Sequence, residues 1–113
     1  PQNMSQYALG ALLGPQGPVA LALFHVPDPQ ACAHLLKFLV HPDWRGRGWG
    51  ENFLRLCTRL LRREGIPGIF LEVEDSNTSA VSLYLKCGLR PVALKKNFYG
   101  TQRHGLAMSD LLV

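Results

Sequence analysis

What this chain lacks narrows its options before any motif is considered. Its three cysteines, Cys32, Cys57 and Cys87, stand far apart, each in an apolar stretch. An odd count without paired spacing excludes a disulfide framework and points to a reducing, cytoplasmic setting. No apolar run reaches the roughly 20 residues that span a bilayer, and no charged segment, apolar stretch and cleavage site follow one another at the amino end, so no membrane partner is expected. His25, His34, His41 and His104 have no metal-ligand spacing among themselves or with the cysteines, so no metal site is expected. Charged residues make up 18% of the chain and hydrophobic ones 47%, a globular rather than a disordered composition. There is no internal repeat and no low-complexity tract. A length of 113 residues predicts one domain, 1–113, with a modest core.

The net charge of +4 is too small to attract polyanions strongly. Arg55, Arg59 and Arg62 recur at i, i+4 and i+7, a pattern open to nucleic acid. No aromatics interleave with them, and Arg62 and Arg63 suit the carboxyl end of a helix. A solvated helix face is the favoured reading, and no nucleic-acid site is expected.

The pattern that is present alternates apolar runs with turn signals. Tyr7 to Leu13 and Val19 to Phe24 read as strands joined at Gly14-Pro15-Gln16-Gly17, a hairpin. Pro27-Asp28-Pro29 breaks the chain, and Ala31 to Val40 reads as a third strand ending at His41-Pro42. Phe53, Leu54, Cys57, Leu60 and Leu61 recur at helical spacing, predicting a helix over Glu51 to Glu64 that Gly65 and Pro67 stop. Gly68 to Val73 reads as a buried strand with Glu72 and Glu74 at its end. Asp75-Ser76-Asn77 offers caps for a helix over Thr78 to Cys87, with Ala80, Leu83, Tyr84 and Cys87 on one face. Leu89 to Leu94 and Leu106 to Val113 read as strands around a polar loop, Lys95 to Gly105. A strand–helix–strand crossover in the middle predicts a parallel pair, and the hairpins at both ends predict antiparallel edges.

Between the third strand and the first helix lies Arg45-Gly46-Arg47-Gly48-Trp49-Gly50. Glycine at alternate positions, opening a helix, aims unpaired amides and the positive end of the helix dipole at one spot. That is a diphosphate cradle. No Gly-Lys-Ser/Thr follows it, which excludes a mononucleotide P-loop. Gly46-x-Gly48-x-Gly50-Glu51 departs from the dinucleotide fingerprint, since Glu51 stands where close helix–strand packing wants a small residue.

Arg45-x-x-Gly48-x-Gly50, preceded by Val40-His41-Pro42, resembles the acetyl-coenzyme A pyrophosphate loop of the GNAT family of N-acetyltransferases. Leu71-Glu72-Val73 with Asn77-x-x-Ala80-x-x-Leu83-Tyr84-x-x-x-Gly88-Leu89 resembles the family's next strand and helix, at the family's spacing. Within the family the likeness is to bacterial ribosomal-protein alanine N-acetyltransferases. Lys95-Lys96-Asn97-Phe98-Tyr99 is similar to their basic-Asn-Tyr-Tyr segment. The resemblance covers most of Ala31 to Val113. It implies an α/β (α+β) fold: a mixed, largely antiparallel sheet with a central splayed parallel pair and two helices. Family members open with a further strand and two helices that form one side of the substrate groove, and nothing before Tyr7 supplies them. The expectation is an N-terminally truncated GNAT fold, with Pro1 at a boundary or at the start of a minimal form.

By resemblance the cosubstrate is acetyl-CoA, held by Phe38, Leu39 and Val40, by Arg45 to Glu51, and by Asn77. Resemblance also makes Glu72 the general base, directly or through a water, and Tyr84 the acid that protonates the departing thiolate. From the residues alone, Glu72 is equally a carboxylate paired with an arginine or capping an amide. An inward tyrosine such as Tyr84 is more often simply core, and Asn77 is equally a cap. Arg47 can as well decorate a turn, and Trp44 and Trp49 either pack on the helix or shield the cofactor. The expected activity is acetyl transfer to an amine, foremost a protein or peptide N-terminus. The alternatives are a small-molecule amine, a lysine, or coenzyme A binding without turnover, with a homodimer or partner chain completing the groove.

Overall fold

The computed structural model describes residues 6–28 and 30–111. Pro1, Pro29 of the predicted break, and Val113 at the predicted end of the last strand lie outside the described residues. In chain order the elements are β1 (Gln6–Gly14), β2 (Gly17–Val26), β3 (Ala33–Val40), a 3-10 turn (Pro42–Trp44), α1 (Trp49–Arg63), β4 (Ile69–Glu74), α2 (Thr78–Lys86), β5 (Arg90–Gly100) and β6 (Arg103–Ser109). The six strands form one sheet in the order β1-β2-β3-β4-β6-β5. All pairs are antiparallel except β3–β4. This is the mixed sheet with one central parallel pair and two helices that the pattern predicts.

That parallel pair is brief. Ala33 pairs with Ile69 and His34 with Phe70, and there the ladder ends. The cause lies on the other edge of β3. Phe24 pairs with Leu35 and Leu23 with Lys37, so Leu36 is an extra residue opposite β2. Such a bulge bends the strand that carries it. Past Leu36, β3 follows β2 and parts from β4, leaving a gap in the middle of the sheet.

Side chains alternate across the sheet, and both helices pack on one face. That face supplies Phe24, Ile69, Leu71 and Met108, all essentially fully buried, which pack with Phe53, Leu54 and Cys57 of α1. Ala80, Tyr84 and Cys87 of α2 join the same core. Burying one such large apolar side chain contributes about 1.5–3 kcal/mol. Gly10 lets β1 approach α1, because a Cβ there would stand 3.1 Å from Cys57 Sγ. Glu72 lies between Leu71 and Val73, both buried, and so points to the opposite face. Tyr7, Leu9, Leu13 and Leu39 are exposed.

Two boundaries differ from expectation. Lys95 to Gly105 is not a loop: β5 continues to Gly100, the chain turns at Thr101-Gln102, and β6 begins at Arg103. Every residue of β5 is exposed, so no burial pattern marks it as a strand. An irregularity in pairing between Lys95 and Gly100, with Asn97 at φ 55°, further hides its period. Helix α1 starts at Trp49 rather than Glu51, which places Gly50 in its first turn instead of in the loop.

Candidate active site

Where β3 parts from β4, a cleft of about 650 Å³ opens on the helix side. The free part of β3 contributes Phe38, Leu39 and Val40, and the loop contributes Arg45, Gly46 and Gly48. Gly50 and Glu51 of α1 and Asn77 and Tyr84 of α2 complete the predicted residues that line it. Arg47 and Trp49 do not line it. Arg47 lies over the Trp44 ring at 5.5 Å, and the Trp44 and Trp49 rings meet edge to face at 5.8 Å. Glu72 does not line it either, since it faces the other side of the sheet.

The loop is built from backbone conformation. Gly46 and Gly48 adopt φ of 76° and 82°, left-handed values that disfavour any side chain, and nothing stands within 4 Å of where a Cβ would be. The first intrahelical bond of α1 runs from the Asn52 amide to the Gly48 carbonyl at 3.1 Å. The amides of Trp49, Gly50 and Glu51 precede it, and no side chain caps them. Gly50 serves packing: a Cβ there would touch Val40 at 3.4 Å and Phe38 at 3.7 Å, so the helix start lies directly on β3. Arg45 donates from Nε to the Val40 carbonyl at 2.9 Å, tying the loop to the strand end. The result is an uncapped helix terminus facing an open cleft, which can accept an anion of diphosphate size.

Asn77 caps α2, accepting from the Ala80 amide at 3.3 Å, and also lines the cleft. Both of its sequence readings are therefore compatible with its position. Tyr84 is partly buried against the core. Burial, reinforced by Cys87 and Tyr99, pushes its phenol pKa above the ordinary value, so it holds its proton at neutral pH. Cys87 is pushed up to about 11, chiefly by burial, and burial also raises Cys57 and Cys32. None of the three is poised as a thiolate.

On the opposite face, both carboxylate oxygens of Glu72 have a hydrogen-bond partner. His34 Nε2 lies 2.6 Å from Oε1, and Lys95 Nζ lies 3.0 Å from Oε2. Burial opposes ionisation of Glu72, but these two partners outweigh it and hold its pKa below the usual carboxylate value. The partners are thus a histidine and a lysine, not the arginine that the sequence suggested. Arg103 pairs instead with Glu74, at 2.7 and 2.9 Å.

The helix arginines are engaged locally. Arg55 bonds Glu51 and the Lys86 carbonyl, and Arg62 reaches Asp110 at 2.7 Å. Among the described residues no group of three or more His, Cys, Asp or Glu could hold a metal ion, and no helix is long and apolar enough to cross a membrane.

Sequence reasoning missed Ser79, Ser82 and Lys86, which also line the cleft. Their i, i+3, i+7 spacing is a polar stripe beside the apolar face of α2 and was available as a signal. It also missed the contact of His34 with Glu72. Those residues are 38 positions apart, and only strand pairing brings them together.

Residues 2–89 match the acetyltransferase (GNAT) family profile. The chain belongs to the GNAT family. The [ribosomal protein bS18]-alanine N-acetyltransferase of Escherichia coli K12 is 32% identical over 69 residues, covering 61% of this chain and 47% of that protein. The chain thus spans about half the length of the curated relatives it matches. The crystal structure of the E. coli ribosomal-protein-S18-alanine N-acetyltransferase superposes with a TM-score of 0.81 at 26% identity, over 91% of this chain and 67% of the other. A GNAT acetyltransferase from Elizabethkingia anophelis, solved with acetyl-CoA bound, gives a TM-score of 0.82 at 15% identity, over 92% of this chain and 75% of that one. At that identity the second match speaks for the fold alone.

Proposed function

We propose that this GNAT chain is a cytoplasmic, acetyl-CoA-dependent N-acetyltransferase of one domain, acting on a protein or peptide N-terminal amine. The observation that carries the proposal is the uncapped start of α1, with Gly46 and Gly48 in left-handed conformations, beside the unpaired edge of Phe38 to Val40. The amides of Gly48 to Glu51 hold the diphosphate. Arg45 keeps the loop on the strand end, and Arg47 adds positive charge nearby while lying over the Trp44 ring. The edge of Phe38, Leu39 and Val40 turned away from β2 pairs with the pantetheine amides as a neighbouring strand would, and Asn77 bonds the same arm.

The gap between β3 and β4 then sets the chemistry. Tyr84 stands on the helix side and Glu72 on the other, so acid and base approach the thioester from opposite faces. As the amine nitrogen bonds the carbonyl carbon and the C–S bond breaks, Glu72 draws off the amine proton. Tyr84 supplies one to the thiolate. Backbone amides along β3 are placed to stabilise the oxyanion. The ribosomal-protein relative in E. coli supports a protein acceptor. Closure of the groove by a second copy or another chain belongs to the same proposal.

A second reading, coenzyme A binding without turnover, draws on one feature: both oxygens of Glu72 are already occupied. Titration calorimetry with acetyl-CoA, followed by intact-mass analysis of N-terminal peptides, lysine peptides and free amines, tests both. Binding with acetylated N-terminal peptides is expected. A flat calorimetric trace would end the proposal, and binding without product would favour the second reading.

A further inference from the structure

His34 forms the last rung of the parallel pair with Phe70, and its side chain reaches Glu72, two residues further along β4 where the gap begins. The geometry of their contact fixes a proton. Glu72 is held ionised by two donors, and an ionised carboxylate can only accept. His34 Nε2, at 2.6 Å from Oε1, must therefore carry the hydrogen between them. In the neutral imidazole that leaves the second nitrogen, Nδ1, with its lone pair, and no hydrogen bond from a described residue engages it.

The ring is also fixed in place. It stacks on Phe70 with centroids 4.3 Å apart and planes at 11°. Its side chain is 26% exposed, against 12% for Glu72. The more accessible of the two groups is thus the one with a lone pair to offer. Glu72, with an imidazole on one oxygen and an ammonium on the other, is poorly placed to take a proton itself.

We propose that His34 Nδ1 receives the acceptor amine's proton, while Glu72 orients the imidazole and stabilises its cationic form. This rests on the acetyltransferase reading above and reassigns one part of it. The neutral amine attacks the thioester carbon. As the N–C bond forms, one N–H proton passes to Nδ1. The C–S bond breaks with its electron pair on sulfur, which takes the phenolic proton of Tyr84. Solvent then removes the proton from the imidazolium and restores the one to the phenol. Carboxylate-held imidazoles act this way in hydrolytic triads, where the acid orients the base without becoming protonated.

The charged and titratable groups around the pair come from three strands. His25 of β2 is the cross-strand partner of His34, with the Tyr7 ring 5.0 Å beyond it. On β5, Lys95 bonds Glu72, and burial, reinforced by the charges of Glu72 and Glu74, raises the pKa of Tyr99. Lys95 keeps Glu72 anionic, which is the state the pair requires.

His34→Gln tests the assignment, because the glutamine amide can still donate to Glu72 but cannot accept the amine's proton. Turnover should fall about 100-fold or more with acetyl-CoA affinity unchanged, the unchanged affinity reporting an intact fold. Added imidazole should restore activity to His34→Ala, whose cavity lies over Phe70. Long-range 15N–1H spectra of the wild-type protein should show the Nε2–H tautomer of His34. Turnover of His34→Gln within about threefold of wild type, or a proton on Nδ1 in those spectra, would overturn the proposal. If the wild-type protein binds no acetyl-CoA, the acetyltransferase reading fails by itself, and the tautomer still decides the His34–Glu72 pair.

Discussion

The two faces of this sheet are built from different materials. On the helix side the site is backbone: left-handed glycines, uncapped amides and a strand edge with no partner. On the other side it is a row of side chains, His34, Glu72 and Lys95, each held by the next. A backbone site recognises a ligand by shape and partial charge, and tolerates change in the side chains around it. A side-chain site does chemistry, and a single atom decides it. In the proposed reaction, the gap between β3 and β4 is what brings the two faces together.

The largest effect should come from attacking the backbone side. Gly48→Glu places a carboxylate at the proposed diphosphate and forces a side chain into φ near 82°, a strain of about 1–2 kcal/mol. Acetyl-CoA affinity measured by calorimetry should fall at least about 100-fold, since charge repulsion adds to that strain. Unchanged affinity would break the assignment of this face.

Glu72→Gln should divide the faces cleanly. Turnover drops about 100-fold while acetyl-CoA affinity stays within about twofold. The same variant sharpens the electrostatics. Because the folded-state pKa of Glu72 is lowered, its contribution to stability is complete above the ordinary carboxylate value and is lost as pH falls through the lowered one. Acid unfolding of the variant, followed by circular dichroism, should therefore be shallower than that of the wild type in this range. An equal slope would mean that His34 and Lys95 do not hold the carboxylate.

Tyr84→Phe removes the proposed acid from the helix side. Turnover should fall about tenfold, a smaller loss because a thiolate leaves more readily than most groups. Arg103→Ala, which breaks the exposed pair with Glu74, should leave the melting temperature unmoved.

The same contrast explains what could be read from the sequence. Backbone sites leave local signatures, so Gly46, Gly48 and Gly50 mark the loop, and Asn77 and Tyr84 fall at fixed offsets on one helix. The hairpins, the crossover and the apolar faces were legible because burial imposes a period on them. β5 imposed none, being exposed throughout, and its polar run reads as a loop. His34 carries no local signal, and Lys95 is marked only as the start of a basic segment. Only the pairing of β3, β4, β6 and β5 brings them to Glu72. Leu36 is similarly silent, because a bulge is a relation between two strands rather than a property of one.

That extra residue has a further consequence. Strand side chains alternate in phase, and Leu36 shifts the phase of everything after it by one. Deleting it would leave Phe38 and Val40 on their present face, since Leu35 and Lys37 would then pair with Phe24 and Leu23 in one regular ladder, but it would remove the bend. The straightened strand would be free to zip onto β4 and seal the slot. One aliphatic residue with no chemistry of its own thus acts as the wedge that holds the gap between β3 and β4 open.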